Sequence, residues 1–384
     1  KEKLPPTGKR IAIVGAGPAG LTAAFYLVRL GHDITVYEAL SEAGGVARFG
    51  IPHYRLPKEV LRKEARLIKK LGVKFKFNQR LGDNLSLEEL KNEFDVIYLA
   101  IGAWKNIDLK IPGEDAKGVF AGTTILKEMA VGKTPKVGER VAIVGAGNVA
   151  IDTARSLLRL GKDVTIVYRR EKGDMPANAV EISESEEEKI NYRFMASPNG
   201  IITDKSGRVK ALHIERMSGG SIDSSGRKKP VATGVFEEIP CDAVVLAVGE
   251  RVDSGFLAEK NMKLTRDGRI VIDPFTFQTT DPKVYAGGDA VSGPSTAAEA
   301  MGMAKKAAAA MDRMLTGENR FYLLSPPFDY RNVVPANPKP ASKNVPRRLS
   351  VKDRVNNFNE ISCGFTGEQA RNEVERCLRC DVKY

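Results

Sequence analysis

Residues 10–40 read RIAIVGAGPAGLTAAFYLVRLGHDITVYEAL, and residues 140–170 read RVAIVGAGNVAIDTARSLLRLGKDVTIVYRR. Both stretches run from an apolar strand through a glycine-rich turn into an amphipathic helix, stop at Arg-Leu-Gly and resume as a second strand. The repeat occurs only twice and its period is too long for a solenoid. It therefore predicts two domains of the same type, each built from parallel βαβ units.

A second pair of similar segments supports the duplication. Residues 95–102 (DVIYLAIG) and 242–249 (DAVVLAVG) are apolar strands that end in a small-residue turn, and each would close its own sheet. Residues 200–240 differ, because strand-like runs at 209–216 and 235–239 are separated by turns rich in Gly, Ser and Lys. This pattern predicts an antiparallel meander inserted in the second unit.

The rest of the chain predicts a return to the first domain and then a C-terminal extension. A strand and loop at residues 269–280, the segment YAGGDA at 285–290 and an Ala- and Met-rich helix over 296–315 follow the second unit. Residues 325–348 are dominated by prolines and basic residues, which is typical of an extended arm. A capping box that begins at Thr366 predicts a last short helix.

The predicted fold class is α/β, with two Rossmann-like dinucleotide-binding domains, the second nested within the first, plus an extended C-terminal arm and a short helix. We expect the first domain to be discontinuous, because the second interrupts it. The predicted bounds are residues 1–104 and 251–320 for the first domain, 105–250 for the second and 321–384 for the C-terminal extension.

Composition and charge indicate which partners the chain would bind. The chain has 384 residues and a formal net charge of +12, a basic balance that favours anionic partners such as dinucleotides or an acidic carrier protein. No nucleic-acid-binding motif accompanies the charge, so nucleic acid is not an expected partner. The long uncharged run at residues 11–28 contains glycines and a proline, so we expect no membrane insertion. Few cysteines and no signal peptide predict a reducing, cytoplasmic location.

The first glycine motif, GAGPAG, occupies residues 15–20 after an apolar strand and at the start of a helix. This is the context that a dinucleotide-binding fingerprint requires. Gly15 permits the tight turn, Gly17 lets a pyrophosphate approach the backbone, and Gly20 lets helix and strand pack closely. The motif by itself does not distinguish FAD from NAD.

Further cofactor-binding residues surround this motif. Pro18 and Ala19 lie at the helix N-terminus, where unpaired N–H groups would face the phosphates. Glu38 lies at the end of the next strand, where a carboxylate can accept hydrogen bonds from ribose hydroxyls. Strand, turn, helix and acid together predict that the first domain binds a dinucleotide.

The second fingerprint, GAGNVA, predicts a different nucleotide. Tyr168 takes the place of Glu38, and Arg169 and Arg170 follow it directly. Arginine offers a planar fork of donors that suits a phosphate dianion, so the pair predicts NADP(H) rather than NAD(H). The alternative is a pair of solvated surface arginines. The expected NADPH-binding residues are Gly145, Gly147, Asn148, Val149, Ala150, Arg169 and Arg170.

Residues 9–320 resemble the FAD- and NADPH-binding part of the small subunit of glutamate synthase. They also resemble the flavin domains of dihydropyrimidine dehydrogenase and of NADPH-linked bifurcating ferredoxin oxidoreductases. The matching segments are GAGPAG (15–20), YEA (37–39), GGVARFGIPHYRLP (44–57), VGAGNVAID (144–152), YRR (168–170), MPA (175–177), AGGDA (286–290) and GPSTAAEAMGMAKKAA (293–308). The resemblance implies that the first domain binds FAD and the second NADPH.

The resemblance also implies further contacts with FAD. Leu81 would meet the adenine end, and Asp289 would accept hydrogen bonds from ribityl hydroxyls. Thr296 would begin a helix whose dipole favours negative charge on the reduced flavin. The residues that the resemblance adds to the FAD site are Gly45, Arg55, Leu81, Gly288, Asp289 and Thr296.

The end of the chain suggests where electrons would go. GFTGEQARNEVERCLRCD resembles a tail of relatives that belong to multisubunit redox complexes. Cys377 and Cys380 would supply half of the thiolates that a [4Fe–4S] cluster needs, and another chain or further residues would supply the rest. Zinc binding and two ordinary reduced cysteines are the alternatives. The expected partner is an iron–sulfur subunit or a ferredoxin in a hetero-oligomer.

The predicted function is an NADPH-dependent FAD oxidoreductase that exchanges electrons with this partner. Because the two cofactors carry the chemistry, no catalytic side chain is expected. One alternative is a stand-alone glutamate-synthase-type enzyme, although we expect this chain to lack that family's N-terminal iron–sulfur domain. A second is a disulfide-reductase-like enzyme, which needs a redox C-x-x-C where this chain has only Cys241. A third is a non-catalytic nucleotide-binding subunit.

Overall fold

The computed structural model describes residues 3–223, 226–258, 262–324 and 341–377. Within these ranges the chain forms two five-stranded parallel sheets, a three-stranded antiparallel sheet and a two-stranded ribbon. None of the helices in these ranges is long and apolar enough to cross a membrane.

The N-terminal part of the chain builds most of the first sheet. Its strand β1 is an apolar run whose Ile11, Ala12 and Ile13 are fully buried, as expected for a parallel strand covered by helices on both faces. The elements are β1 Arg10–Val14, α1 Pro18–Arg29, β2 Asp33–Glu38, α2 Gly45–Phe49, α3 Lys58–Lys70, β3 Lys74–Phe77, α4 Leu87–Glu93 and β4 Val96–Leu99.

The middle of the chain builds the second sheet and the meander. Its elements are β5 Lys105–Asn106, β6 Val119–Ala121, α5 Gly122–Ala130, β7 Arg140–Val144, α6 Asn148–Arg159, β8 Asp163–Tyr168, α7 Ala179–Glu187, β9 Asn191–Phe194, β10 Ala196–Thr203, β11 Val209–Ile222, β12 Lys228–Pro240, β13 Ala243–Leu246 and β14 Glu250–Arg251. The sheet order is β6-β13-β7-β8-β9. The predicted antiparallel meander is present as β10-β11-β12, and its strands are longer than the predicted runs.

The chain then returns to the first sheet. The remaining elements are α8 Gly255–Ala258, β15 Val284–Ala286, α9 Asp289–Ser292, α10 Ala297–Thr316, α11 Val351–Arg354 and α12 Gly367–Glu375. Strand β15 pairs with β4, which gives the order β15-β4-β1-β2-β3, so the second unit is nested within the first as predicted. The two segments that connect the units pair with each other through the antiparallel strands β5 and β14. The exact domain bounds stay a prediction.

The duplication extends to the pairing register. Arg10 lies opposite Asp33 in the first sheet, and Arg140 lies opposite Asp163 in the second. Each glycine turn therefore leaves the carboxyl end of a central strand and enters a helix at the same edge of its sheet. Ligands of open α/β sheets bind at this edge.

Candidate functional site

The first glycine turn is held tightly against the neighbouring strand. Gly15 has φ +104°, and a Cβ atom there would lie 2.2 Å from the carbonyl oxygen of Ala100. A Cβ atom on Gly20 would lie 1.9 Å from the carbonyl oxygen of Gly15, so the helix can approach the turn only with glycine there. Gly17 caps α1 without a side-chain hydrogen bond to the helix. The first amides of α1 are thus open to an anion.

Glu38 fixes the acidic side of this turn. Its Oε2 accepts a hydrogen bond from the amide of Ala16 at 2.7 Å, and its Oε1 accepts one from the amide of Leu40 at 2.8 Å. Burial raises the pKa of the Glu38 carboxyl, and the two backbone donors only partly offset this effect. The carboxylate therefore both braces the turn and presents an acceptor beside it.

A cavity of about 580 Å³ extends from the glycine turn. Within the described part of the chain, Gly20, Arg55 and Gly288 are the predicted FAD residues that do not line it. Three residues of α5 in the second unit, Thr123, Thr124 and Lys127, reach its wall. The predicted FAD residues that line it are Gly15, Gly17, Pro18, Ala19, Glu38, Gly45, Leu81, Asp289 and Thr296.

The far wall of the cavity comes from the start of α9 and α10. Gly288 packs closely against α1 behind this wall, since a Cβ atom on Gly288 would lie 2.8 Å from the Cβ of Ala19. Burial raises the pKa of Asp289, although the hydroxyl of Ser295 donates to its carboxylate at 3.0 Å. Thr296 closes a capping box with Glu299, so the start of α10 already carries an acidic side chain. The predicted favourable dipole of α10 at the flavin is therefore partly balanced by Glu299.

Arg55 lies at the junction between the units rather than at the cavity wall. Its Nη1 donates to both oxygens of Asp152 at 2.8 and 2.6 Å, and its Nε lies 2.9 Å from Glu181. The Arg55 side chain thus pairs with two carboxylates of the second unit, and the flavin contact implied by the resemblance stays a prediction. Burial raises the pKa of Asp152 to about 6, even though Arg55 lowers it.

The second glycine turn repeats the first one. Gly145 has φ +122°, and a Cβ atom there would lie 2.2 Å from the carbonyl oxygen of Ala247. Gly147 caps α6 without a side-chain hydrogen bond, and a Cβ atom there would meet open space. Asn148 accepts a hydrogen bond from the amide of Asn178, and Ala150 is fully buried. Val149 lies against Gly122 of α5.

The two predicted phosphate-binding arginines have different surroundings. Arg169 is exposed, whereas Arg170 is buried and donates from Nη2 to Asp223 at 2.8 Å. The other terminal nitrogen of Arg170, Nη1, is buried without a hydrogen-bond partner among the described residues. Tyr168 donates to the carbonyl oxygen of Asp174 at 2.8 Å. The alternative of two solvated surface arginines therefore does not hold for Arg170.

The cysteines divide into a buried one and a C-terminal group. Burial raises the pKa of Cys241 to about 11, which keeps its thiol protonated and argues against a redox role. Cys377 is exposed and its thiol forms no disulfide with a described residue, and Cys380 lies outside the described residues. The described residues contain no group of three or more side chains arranged to hold a metal.

A model of the pyridine nucleotide-disulphide oxidoreductase family matches residues 9–304. The chain belongs to this family. It is 37% identical over 392 residues to the beta subunit of an NADP(+)-dependent formate dehydrogenase from Moorella thermoacetica, an alignment that covers 97% of this chain and 55% of that protein. It is 35% identical over 319 residues to the small chain of NADPH glutamate synthase from Escherichia coli, covering 79% and 68%.

A solved structure shows the same fold. Mycobacterium tuberculosis FprA in complex with NADPH superposes with a TM-score of 0.66 at 22% identity, over 80% of this chain and 86% of that one. The chain spans about half the length of the formate dehydrogenase subunit. Family membership and the shared fold confirm the predicted Rossmann-type architecture and the resemblance to glutamate synthase small subunits. The cofactors FAD and NADP(H) and the activity stay predictions. The roles of single residues stay predictions.

Sequence reasoning missed several residues at the cavity. Trp104 and Asn106 follow β4 in the chain and line the cavity, and Lys127 reaches the cavity from the second unit. The single tryptophan of the chain was the only available signal, because its position two residues after Gly102 places it beside the cofactor edge of the sheet. Lys127 lies on an element that no motif marked.

Proposed function

We propose that this oxidoreductase is a module that moves a hydride between NADPH and FAD and exchanges electrons with an iron–sulfur partner. One observation carries the proposal. The two units present equivalent glycine turns, yet one strand ends in a carboxylate acceptor, Glu38, and the other ends in guanidinium donors, Arg169 and Arg170. Acceptors and donors at this position favour different adenine nucleotides.

The residues of the first unit fit FAD. Gly17 and Gly45 approach so closely that a Cβ atom on Gly45 would lie 2.7 Å from the Cα of Gly17, which leaves a backbone cradle beside the open amides of α1. Glu38 and Asp289 offer carboxylates along the cavity for ribose and ribityl hydroxyls. Leu81 supplies an apolar surface near one end.

The residues of the second unit fit the 2′-phosphate of NADP(H). The buried Nη1 of Arg170 lacks a partner among the described residues, so it is available to donate to an acceptor such as a phosphate oxygen. Arg169 would add a second, solvent-facing donor. The open space at Gly147 lets a pyrophosphate reach the amides of α6.

When both cofactors are bound, they supply the hydride chemistry themselves, from nicotinamide C4 to flavin N5. The chain contributes binding and alignment. The amides of α1 and α6 orient the two pyrophosphates, and α5 places Thr123 and Lys127 at the flavin cavity. No acid or base has to act in the hydride step, so no side chain is assigned that role.

The partner proposal rests on the end of the chain. The relatives are named as a beta subunit and a small chain, which favours a hetero-oligomer. The predicted capping box at Thr366 is present, and helix α12 starts at Gly367. Cys377 lies directly after the C-cap residue of this helix, Arg376. An iron–sulfur subunit that docks there would receive one or two thiolates. A reducing, cytoplasmic location stays a prediction from cysteine usage.

Cofactor analysis tests the proposal directly. We expect the purified chain to release FAD, rather than FMN, on denaturation. We also expect it to oxidise NADPH much faster than NADH with an artificial acceptor. A chain that binds no flavin when FAD is supplied would contradict the proposal and would favour the non-catalytic alternative.

Co-purification tests the partner. Native mass measurement of the complex from its source should show a second chain with iron and acid-labile sulfide. The Cys377→Ser and Cys380→Ser variants should lose iron from the complex without loss of flavin. Full iron content in the double variant would contradict the shared-cluster proposal and leave the flavin proposal standing.

A further inference from the structure

A buried cluster of charges joins three separate parts of the chain. Five arginines face five carboxylates: Arg55, Arg155, Arg159, Arg348 and Arg354, with Asp152, Glu181, Glu184, Glu187 and Glu188. Arg55 comes from the first unit. The five carboxylates and two of the arginines, Arg155 and Arg159, come from α6, α7 and the residue that follows α7. Arg348 and Arg354 come from the C-terminal segment. We call this set the junction cluster.

The centre of the junction cluster is fully enclosed. The side chains of Arg155, Arg159 and Glu188 have no solvent exposure. Arg155 and Arg159 each donate to Glu188, with Nη2 of Arg155 at 2.7 Å and Nη1 of Arg159 at 2.8 Å. Because the charges are equal in number and hydrogen-bonded, the cluster can stay ionised without water. Its geometry is therefore specific rather than a loose surface attraction.

Tyr54 is the point where the three parts meet. Its ring lies under the guanidinium of Arg159, at 4.1 Å from the centroid, and its hydroxyl lies 3.4 Å from the carbonyl oxygen of Asp152. Its own carbonyl oxygen accepts a hydrogen bond from the amide of Ile361 at 3.0 Å. The centroid of the Phe358 ring lies 6.3 Å from the centroid of the Tyr54 ring. The C-terminal segment thus binds the first unit as well as the second.

The C-terminal segment closes the junction cluster from outside. Arg354 is buried, is bonded to Glu187, and its Nε lies 3.0 Å from Glu188. Arg348 lies 3.3 Å from Glu184 and is one-third exposed. The segment therefore fills two positions of the cluster that neither nucleotide unit supplies.

The cluster connects directly to both nucleotide sites. Asp152 lies one helical turn after Asn148, at the start of the helix that would receive the NADPH pyrophosphate. Its partner Arg55 lies in the segment that begins at Ile51 on the flavin cavity wall. Lys58 pins that segment by donating to the carbonyl oxygens of Ala47 and Ile51. A shift of the cluster would therefore move one site relative to the other.

We propose that the junction cluster is a positioning device for hydride transfer, with the C-terminal segment as its clamp. It holds the helix of the NADPH site in register with the segment that borders the flavin cavity. Asp152 and Arg354 are positioning residues, since neither lines the cavity. The inference rests on the proposed hydride transfer between NADPH and FAD.

Arg354→Met in the full chain tests the clamp. We expect the limiting rate of flavin reduction at saturating NADPH to fall by about tenfold to a hundredfold, because a misplacement of about 1 Å can cost a hundredfold. The NADPH dissociation constant should change by less than about threefold, and flavin content should stay at the wild-type level, since Arg354 neither lines the flavin cavity nor belongs to a glycine turn. Rapid anaerobic mixing and an equilibrium titration give the two values.

Two further variants keep the test interpretable. Arg348→Met removes the partly exposed ion pair with Glu184 and should fold normally. We expect its limiting rate to fall as well, but by less than in Arg354→Met. Arg140→Met removes an exposed pair with Asp242 in the second unit and should leave the rate unchanged. A wild-type rate in both cluster variants would overturn the proposal. A parallel loss of flavin content and NADPH binding would also overturn it, because it would show a merely structural role.

Hydrogen exchange separates this inference from the proposed function. We expect faster amide exchange over residues 50–57 and 148–155 in Arg354→Met than in Arg140→Met. If NADPH fails to reduce the wild-type flavin, the proposed function falls and the exchange data alone decide the clamp. Unchanged exchange in Arg354→Met would then overturn it, and faster exchange confined to these segments would support it.

Discussion

Gly15 and Gly145 occupy equivalent positions in the two units, and a Cβ atom on either one would lie 2.2 Å from a carbonyl oxygen of the neighbouring strand's turn. Both have positive φ values, +104° and +122°. The two turns are thus constrained in the same way, although the next strand of each unit leads to residues of opposite charge: β2 ends at Glu38, whereas Arg169 and Arg170 follow β8. This pairing makes the two sites separable by mutation.

Alanine at each glycine should disable one site only. A residue other than glycine at such a φ costs about 1–3 kcal/mol, and the clash with the carbonyl oxygen forces the turn to open. We expect Gly15→Ala to lose bound flavin, and Gly145→Ala to keep flavin that NADPH no longer reduces. Flavin absorbance and anaerobic NADPH titration measure the two effects. Loss of flavin in both variants would contradict the assignment of separate sites.

Arg169 and Arg170 should carry the preference for NADPH over NADH. Loss of a hydrogen bond to a charged group costs about 1.5–3 kcal/mol, so Arg169→Ala should raise the NADPH dissociation constant by about tenfold to a hundredfold. Affinity for NADH should barely change. Arg170→Ala should also remove the ion pair that joins Asp223 to the second sheet, and we expect a loss of meander order in addition to the loss of NADPH affinity.

Lys162→Ala is the matched control for the arginine variants, because Lys162 pairs with Glu139 at the other end of β8. It should leave both affinities unchanged. Equal losses for NADPH and NADH in Arg169→Ala would refute the phosphate role, whatever the control shows.

Glu38 should be required for flavin retention. Its two oxygens accept from the amides of Ala16 and Leu40, so Glu38→Ala leaves two donors without a partner at the flavin-binding turn. Each such loss costs about 1–3 kcal/mol. We expect the variant to purify with little flavin and to need added FAD, whereas the exposed Glu93→Gln variant should match the wild type. Flavin-to-protein ratios after gel filtration give the comparison.

Acid should weaken the junction cluster through Glu188. Burial raises the pKa of Glu188, but hydrogen bonds from Arg159 and Arg155 outweigh burial and bring the pKa below its ordinary value of 4.5. A lowered pKa means that the stabilisation is present above pH 4.5 and is lost as the pH falls through the folded-state pKa. The urea midpoint of the wild type should therefore drop steeply in this acid range.

Glu188→Gln should lose this pH dependence. Near neutral pH it should be destabilised by about 3–5 kcal/mol, because the buried Arg159 keeps its charge without a carboxylate among the described residues, and Arg155 and Arg354 each lose one of their partners. The gap to the wild type should narrow as the pH falls below 4.5. A gap that stays constant over the whole pH range would contradict an ionised Glu188.

The duplicated architecture could be predicted because it depends on local signals. The strand, turn and helix of residues 10–40 repeat at 140–170, and the structure gives both stretches the same register. The capping box at Thr366 could be predicted for the same reason, since it involves residues three apart. The capping box at Thr296 has the same local pattern but was not predicted.

The junction cluster could not be predicted from the sequence. Arg55 and Asp152 are 97 residues apart, and Arg354 reaches α7 from the other end of the chain. The motif that contains Arg55 gives no sign of its ion pairs with Asp152 and Glu181, because both partners are distant in the sequence. Arg170 is similar, because its partner Asp223 lies in the inserted meander.

The decisive experiment is anaerobic rapid mixing of the flavin-loaded chain with NADPH and, separately, with NADPH deuterated at nicotinamide C4. We expect the flavin absorbance to be bleached in a single turnover and deuterium to slow this step, because the hydride would move between two cofactors held in different domains. Flavin that stays oxidised at saturating NADPH would show that no such transfer occurs.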